Sequence, residues 1–211
     1  MSVRRVALLG GSFNPVHLGH LRLARYVAER GLADEVWLMV SPCNPLKRPE
    51  GLLETEARLS LARLAAEGMP GVRVSDYETR LPLPSYTWRT LAALGADFPG
   101  TEFSLLVGTD NWLVFDRWRN AAEILRRHRL LVYPRPGYEV RAESLPPQVT
   151  LLSDAPQSPW SSTDIRRALA EGRDCAEMLP PAVAREIARR GYYGARPLSR
   201  RNGEGAADGN S

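Results

Sequence analysis

The sequence predicts an α/β protein: an open, doubly wound (Rossmann-like), mostly parallel sheet with helices on both faces and a small helical C-terminal segment. Three observations predict it. Short, continuously apolar runs alternate with stretches of helical periodicity, as strands buried on both faces require. The first run, Val6-Ala7-Leu8-Leu9, ends at Gly10-Gly11, a strand entering a turn. From residue 160 onward the apolar runs stop and only helical spacing remains.

Residues 18–30 carry Leu21, Ala24, Val27 and Ala28 on one helical face and stop at Gly31. Residues 35–40 are the second strand, halted by Ser41-Pro42, so the first three elements form a right-handed βαβ unit. The alternation continues with a helix at 54–66 (Leu59, Ala62 and Ala65 on one face), a strand at 72–75, a helix at 86–94 and a strand at 103–107 ending at Gly108. A helix at 121–127, a strand at 130–133 stopped by Pro134 and Pro136, and a last strand at 149–152 follow. Two helices, 163–171 and 181–190, close the single domain expected over 1–195. Residues 196–211, rich in Gly, Asn, Ser and charge, read as a disordered tail.

With 211 residues and 44% hydrophobic content the chain can bury one substantial core. No apolar run reaches membrane-spanning length, and the first strand follows Met1 too closely for a signal peptide, so a cytoplasmic protein without membrane contact is expected. Cys43 and Cys175 are read as two reduced thiols, and no Cys/His spacing suggests zinc. No protein-held metal is expected; magnesium would arrive on phosphates. The net charge of +4 suits a protein that handles polyanions without saying which. Of 28 basic residues only Lys47 is a lysine, which gives it a chemical claim. It follows the second strand in Asn44-Pro45-Leu46-Lys47, at the sheet edge where it can neutralise a phosphate as a mobile point charge.

Gly10-Gly11-Ser12-Phe13-Asn14-Pro15-Val16-His17-Leu18-Gly19-His20 joins the first strand to the first helix, at the carboxyl end of the sheet where ligands bind. Gly10 and Gly11 let backbone N–H groups approach a phosphate. His17 and His20, two of the chain's three histidines, are spaced to share one face of the helix start, and Gly19 permits close approach of a base or ribose. Two imidazoles facing a triphosphate can donate hydrogen bonds and stabilise growing charge. The G-x-G-x-x-G dinucleotide spacing is absent. A second candidate, Ser161-Ser162-Thr163-Asp164-Ile165-Arg166, opens a helix with Ser161 or Ser162 as N-cap. Its N–H groups, hydroxyls and the Arg166 guanidinium would make an anion site, or it is an ordinary cap.

The first stretch resembles the H-x-G-H signature of the nucleotidyltransferase superfamily, and its full form resembles that of the bacterial nicotinate-nucleotide adenylyltransferase family. The second resembles that family's I-S-S-T-x-x-R, with Trp160 in place of isoleucine, and Leu46 stands where the family has histidine. Ser85-Tyr86-Thr87, Gly108-Thr109-Asp110 and Trp118 are similar to its S-Y-T, G-x-D and x-x-W elements. Arg135-Pro136-Gly137-Tyr138 and Leu179-Pro180-Pro181 also match, so the resemblance runs from Val6 to Tyr193.

The resemblance implies transfer of the adenylyl group of ATP to nicotinate mononucleotide, with Mg²⁺ accompanying ATP, as a step in NAD biosynthesis. It implies His17, His20, Lys47 and Arg166 as catalytic residues. Gly10, Gly11, Ser12, Phe13, His17, Gly19 and His20, with Ser161, Ser162, Thr163 and Arg166, would face ATP. Asn14, Lys47, Ser85, Tyr86, Thr87, Gly108, Asp110, Trp118 and Arg119 would face the acceptor. By the same match Thr87 would contact the pyridine carboxylate, Trp118 would stack on the ring and Asp110 would hold ribose or a metal-linked group; from its position alone Trp118 is either core or platform. Arg119 would favour an anionic ring substituent if turned inward.

Three alternatives stand beside this reading. A class I aminoacyl-tRNA synthetase needs paired lysines that the chain lacks. An RNA-binding module would use the arginines of 117–129, which also read as the solvated face of an amphipathic helix. A related transferase would take nicotinamide mononucleotide, pantetheine phosphate or FMN. No nucleic-acid partner is expected; a homo-oligomer stays open.

Overall fold

Val6, Ala7, Leu8 and Leu9 are all essentially inaccessible to solvent, with alternate side chains entering two separate cores. That double burial puts the first strand in the middle of the sheet. The computed structural model describes residues 3–42 and 51–195. Six strands form one all-parallel sheet: β1 (Arg4–Gly11), β2 (Glu35–Val40), β3 (Val72–Ser75), β4 (Thr101–Gly108), β5 (Leu130–Tyr133) and β6 (Val149–Leu151). Their order is β3-β2-β1-β4-β5-β6. The doubly wound architecture read from the sequence is therefore the one observed.

The helices are α1 (Leu18–Glu29), α2 (Thr55–Ala66), α3 (Thr87–Asp97), α4 (Thr109–Trp112), α5 (Ala121–Arg127), α6 (Ser162–Ala170) and α7 (Pro181–Arg190). One core packs Ala7, Leu9, Val36 and Leu38 against apolar residues of α1, α2, α6 and α7. The other packs Val6, Leu8, Trp37 and Met39 against Leu91 and Leu94 of α3 and Ile124 of α5. The chain winds away from β1 through β2 and β3, then crosses back to β4 on β1's other side. That reversal opens a crevice outside the carboxyl ends of β1 and β4, where an open α/β sheet binds its ligands.

Some expected boundaries move. Gly10 and Gly11 stay in β1, paired with Met39 and Val40, so the turn begins at Ser12. Arg30 and Glu54 are helix caps rather than helix interior, and α6 spans Ser162–Ala170 where 163–171 was expected. Helix α3 begins at Thr87, with Tyr86 as its N-cap, and runs through Gly95 to Asp97. Strand β6 stops at Leu151. Helix α4, only four residues long, was not expected at all. The arginines at the end of α5 are exposed, and Arg126 and Arg127 both pair with Glu123, as a solvated face would. No helix among the described residues is long and apolar enough to cross a membrane. The tail at 196–211, and Cys43, Asn44, Leu46 and Lys47, lie outside the described residues. Cys175 is buried with a free thiol.

Candidate active site

The loop between β1 and α1 is held from four sides by groups distant in sequence. Asn14, nearly buried, donates from Nδ2 to the Gly51 carbonyl (2.8 Å) and accepts at Oδ1 from the Leu53 N–H (3.2 Å) and the Tyr193 hydroxyl (2.8 Å). The side chain expected to face the acceptor is thus committed to the loop's own frame. Phe13 sits at φ +44°, a backbone region disfavoured for a bulky side chain, and its buried ring meets His20 edge-on with centroids 4.9 Å apart. Beneath the loop lies Arg58 of α2, wholly buried. Its guanidinium donates to the carbonyls of Ser12 (2.7 Å), Ser41 (2.8 Å), Leu53 (2.8 Å) and Pro42 (3.3 Å), and to the Thr55 hydroxyl (2.9 Å). It ties the ends of β1 and β2 to α2. Sequence reading passed over Arg58, although 58, 61, 62 and 65 form one helical stripe whose other members are apolar.

His17 and His20 form a reciprocal cap at the start of α1. The Gly19 N–H donates to His17 Nδ1 (3.1 Å), and the His17 N–H donates to His20 Nδ1 (3.2 Å). The rings lie 3.7 Å apart, the half-buried His20 over the buried His17. Because Nδ1 accepts in both, each neutral ring carries its proton on Nε2. Gly19 is required here: a Cβ on it would stand 2.5 Å from Ser158 Cβ and 2.9 Å from His17 Cε1.

Burial, and secondarily the positive charge of Arg135, lowers the His17 pKa from 6.5 to about 4. The folded protein therefore keeps His17 neutral over a range in which the unfolded chain takes up the proton. Stability from this source is complete above about pH 6.5, falls by roughly 3 kcal/mol as the pH drops to about 4, and is flat below. Ring-proton NMR should show His17 titrating near 4; a midpoint near 6.5 would contradict the burial argument.

The second motif comes back to the first. Ser161 caps α6: the Asp164 N–H donates to Ser161 Oγ (3.2 Å), and the Ser161 N–H and Oγ–H donate to Asp164 Oδ2 (2.9 and 2.7 Å). Those hydrogen bonds hold the Asp164 carboxyl below its usual range. Ser162 Oγ donates to the Pro15 carbonyl (3.0 Å), and Arg166 donates to the Asn14 carbonyl (2.8 Å) and to Thr163 Oγ1 (3.2 Å). Cap and anion site were alternatives in the sequence; in the structure the cap is formed, and Arg166 stands at the loop that carries the histidines.

On the other side of the crevice, Gly108 ends β4, and Asp110 lies in α4 with its Oδ2 3.8 Å from Arg135 Nε. Ser85, Tyr86 and Thr87 bring α3's start to the same carboxyl end of the sheet. Tyr86 has the guanidinium carbons of Arg89 and Arg119 at 5.5 and 5.3 Å from its ring centre. Trp118 packs beside Phe115 (centroids 5.2 Å) against the second core, half-buried, so one part of the ring serves as core. The Nε1 of Trp118, the Nε1 of Trp88 and the Oγ of Ser85 are buried polar atoms without a hydrogen-bond partner among the described residues. Among the described residues no three His, Cys, Asp or Glu side chains converge on a metal position.

The chain is similar to several known proteins. Residues 8–168 match the cytidylyltransferase-like family. A probable nicotinate-nucleotide adenylyltransferase of Bacteroides fragilis is 49% identical over 187 residues, 89% of this chain and 92% of the relative. One from Bacteroides thetaiotaomicron is 46% identical, over 85% of this chain and 88% of the relative. A solved structure of Plasmodium falciparum nicotinic acid mononucleotide adenylyltransferase complexed with NaAD shares the fold at a TM-score of 0.76 and 17% identity, covering 92% of this chain and 98% of that one.

Proposed function

The chain belongs to the cytidylyltransferase-like family and is a nicotinate-nucleotide adenylyltransferase of NAD biosynthesis, and from that premise we propose how its residues divide the work. The observation that carries the proposal is the joining of the two motifs: Ser162 and Arg166 bond to the carbonyls of Pro15 and Asn14, next to the His17–His20 cap. The ATP triphosphate lies over this junction. The Nε2–H groups of His17 and His20 donate to the α-phosphate and its neighbours, and Arg166 and the α6 start hold the departing pyrophosphate. Lys47, outside the described residues, joins them as a mobile charge. Residues 10–12 lie in backbone contact with the nucleotide.

The acceptor's 5′-phosphate oxygen attacks the α-phosphorus in line. A P–O bond to the nicotinate mononucleotide forms as the bond to pyrophosphate breaks. The attacking phosphate is already anionic at neutral pH, so no general base is needed and catalysis is positioning plus charge stabilisation. A neutral His17 suits this role, since its cap bond fixes the donor proton on Nε2 whatever the pH above its pKa. Mg²⁺, carried on phosphate oxygens as part of the nucleotide substrate, would supply further charge neutralisation. Thr87, Asp110 and Trp118 take the pyridine nucleotide, and Arg119 beside Tyr86 favours an acidic ring substituent.

Pyrophosphate release with ATP and Mg²⁺ tests the assignment. Nicotinate mononucleotide should be turned over faster than the nicotinamide form. Faster turnover of the amide would overturn the acid preference, and no release with either would overturn the acceptor.

A further inference from the structure

Arg135 takes no part in the division of work above. Its placement gives it one. It leaves the carboxyl end of β5, two strands from β1, yet its side chain does not stay there. A Cβ on Gly108 would stand 2.9 Å from Arg135 Cγ, 2.3 Å from Asp110 Oδ1 and 3.3 Å from Tyr133 Cζ. The stem of the arginine therefore lies against the end of β4, over a residue with no side chain to block it. The Arg135 N–H donates to Thr109 Oγ1 (2.9 Å), which anchors the base of the side chain. Asp110 faces it loosely, at 3.8 Å. About a third of the side chain stays exposed, at the crevice between β1 and β4.

The geometry points to Arg135 as the residue that holds the 5′-phosphate of the acceptor mononucleotide against the His17 end of the crevice. This rests on the acceptor assignment above. A phosphate monoester carries a charge of about −1.5 to −2 at neutral pH. A buried neutral imidazole offers such an anion a hydrogen bond but no charge. Arg166, the cation of the other motif, is committed on the α6 side by its bond to the Asn14 carbonyl. Arg135 supplies charge from the β4–β5 side, where the acceptor elements lie, with a planar fork that matches phosphate oxygens. Its field already reaches His17, whose proton affinity it lowers. A phosphate seated between them would neutralise that field as the nucleophile binds.

Equilibrium binding of nicotinate mononucleotide and of its dephosphorylated riboside tests this without turnover. Wild-type protein should prefer the phosphorylated ligand. Arg135→Gln should lose about ten- to a hundred-fold in affinity for the mononucleotide, the span of one charge-assisted hydrogen bond, and bind the riboside as before. Arg135→Lys should recover part of the loss, and His17 should titrate at higher pH in Arg135→Gln than in wild type. An unchanged preference for the phosphorylated ligand in Arg135→Gln overturns the inference. Wild-type protein that binds neither ligand overturns the acceptor assignment, and the role of Arg135 with it.

Discussion

His17→Ala should lower kcat by about 10²–10³-fold, the usual effect of removing a donor aimed at developing charge. The residue does two jobs that the variant series separates. Nδ1 caps α1 through the Gly19 N–H, and Nε2–H is the donor toward phosphate. Alanine loses both, and the cap alone is worth about 1 kcal/mol. His17→Asn keeps an acceptor at the N-cap but has nothing at the Nε2 position. It should regain stability, read by thermal melting, without regaining turnover, read by pyrophosphate release. His20→Ala should lose rate on the same scale. Near-normal turnover in either alanine variant would remove the histidines from the mechanism.

Arg58→Ala should be the most damaging single change to stability, at about 3 kcal/mol or more in urea unfolding. The side chain is inaccessible to solvent, and its loss leaves the carbonyls of Ser12, Ser41, Leu53 and Pro42 without their shared donor. For a domain of this size that is a fall in Tm of roughly 6–12 °C. Arg58→Lys keeps the charge but cannot reproduce the fork, and should recover only part. A loss below about 1 kcal/mol would mean that water re-satisfies the carbonyls at little cost. Because Ser12 and Ser41 follow directly on β1 and β2, beside the proposed nucleotide site, the surviving folded fraction of Arg58→Ala should also show a raised KM for ATP.

Physics made the sheet easy to read and the site's scaffolding hard. The inner strands β1, β2, β4 and β5 leave largely apolar runs, while the outer strands β3 and β6, interrupted by the exposed Arg73 and Thr150, were legible mainly from their place in the alternation. Helix ends were less so: a helix was expected over 86–94, yet α3 continues through Gly95 to Asp97, since a glycine in helical geometry costs only about 1 kcal/mol. Helix α4 is shorter than any hydrophobic period. The two histidines were legible because imidazoles beside glycines at a strand end have few other uses. What the linear order conceals is the return of Ser162, Arg166 and Tyr193 to residues 14 and 15, since nothing local in either segment encodes the other. Arg58 was hidden for the opposite reason: an arginine on a helix is ordinarily solvated, and only its place on an apolar stripe hinted otherwise.

The Tyr193–Asn14 hydrogen bond joins residues 179 apart, and the Arg166–Asn14 bond joins residues 152 apart. During synthesis the histidine loop emerges long before the groups that fix its shape. The loop must wait, loosely formed, while the strands behind it assemble, because contacts of such long range close late. A ribosome-bound chain that already has its sheet would therefore lack a finished phosphate site. Nucleotide affinity, more than helix content or buried tryptophan fluorescence, would then report that Arg166 and Tyr193 have docked on the loop.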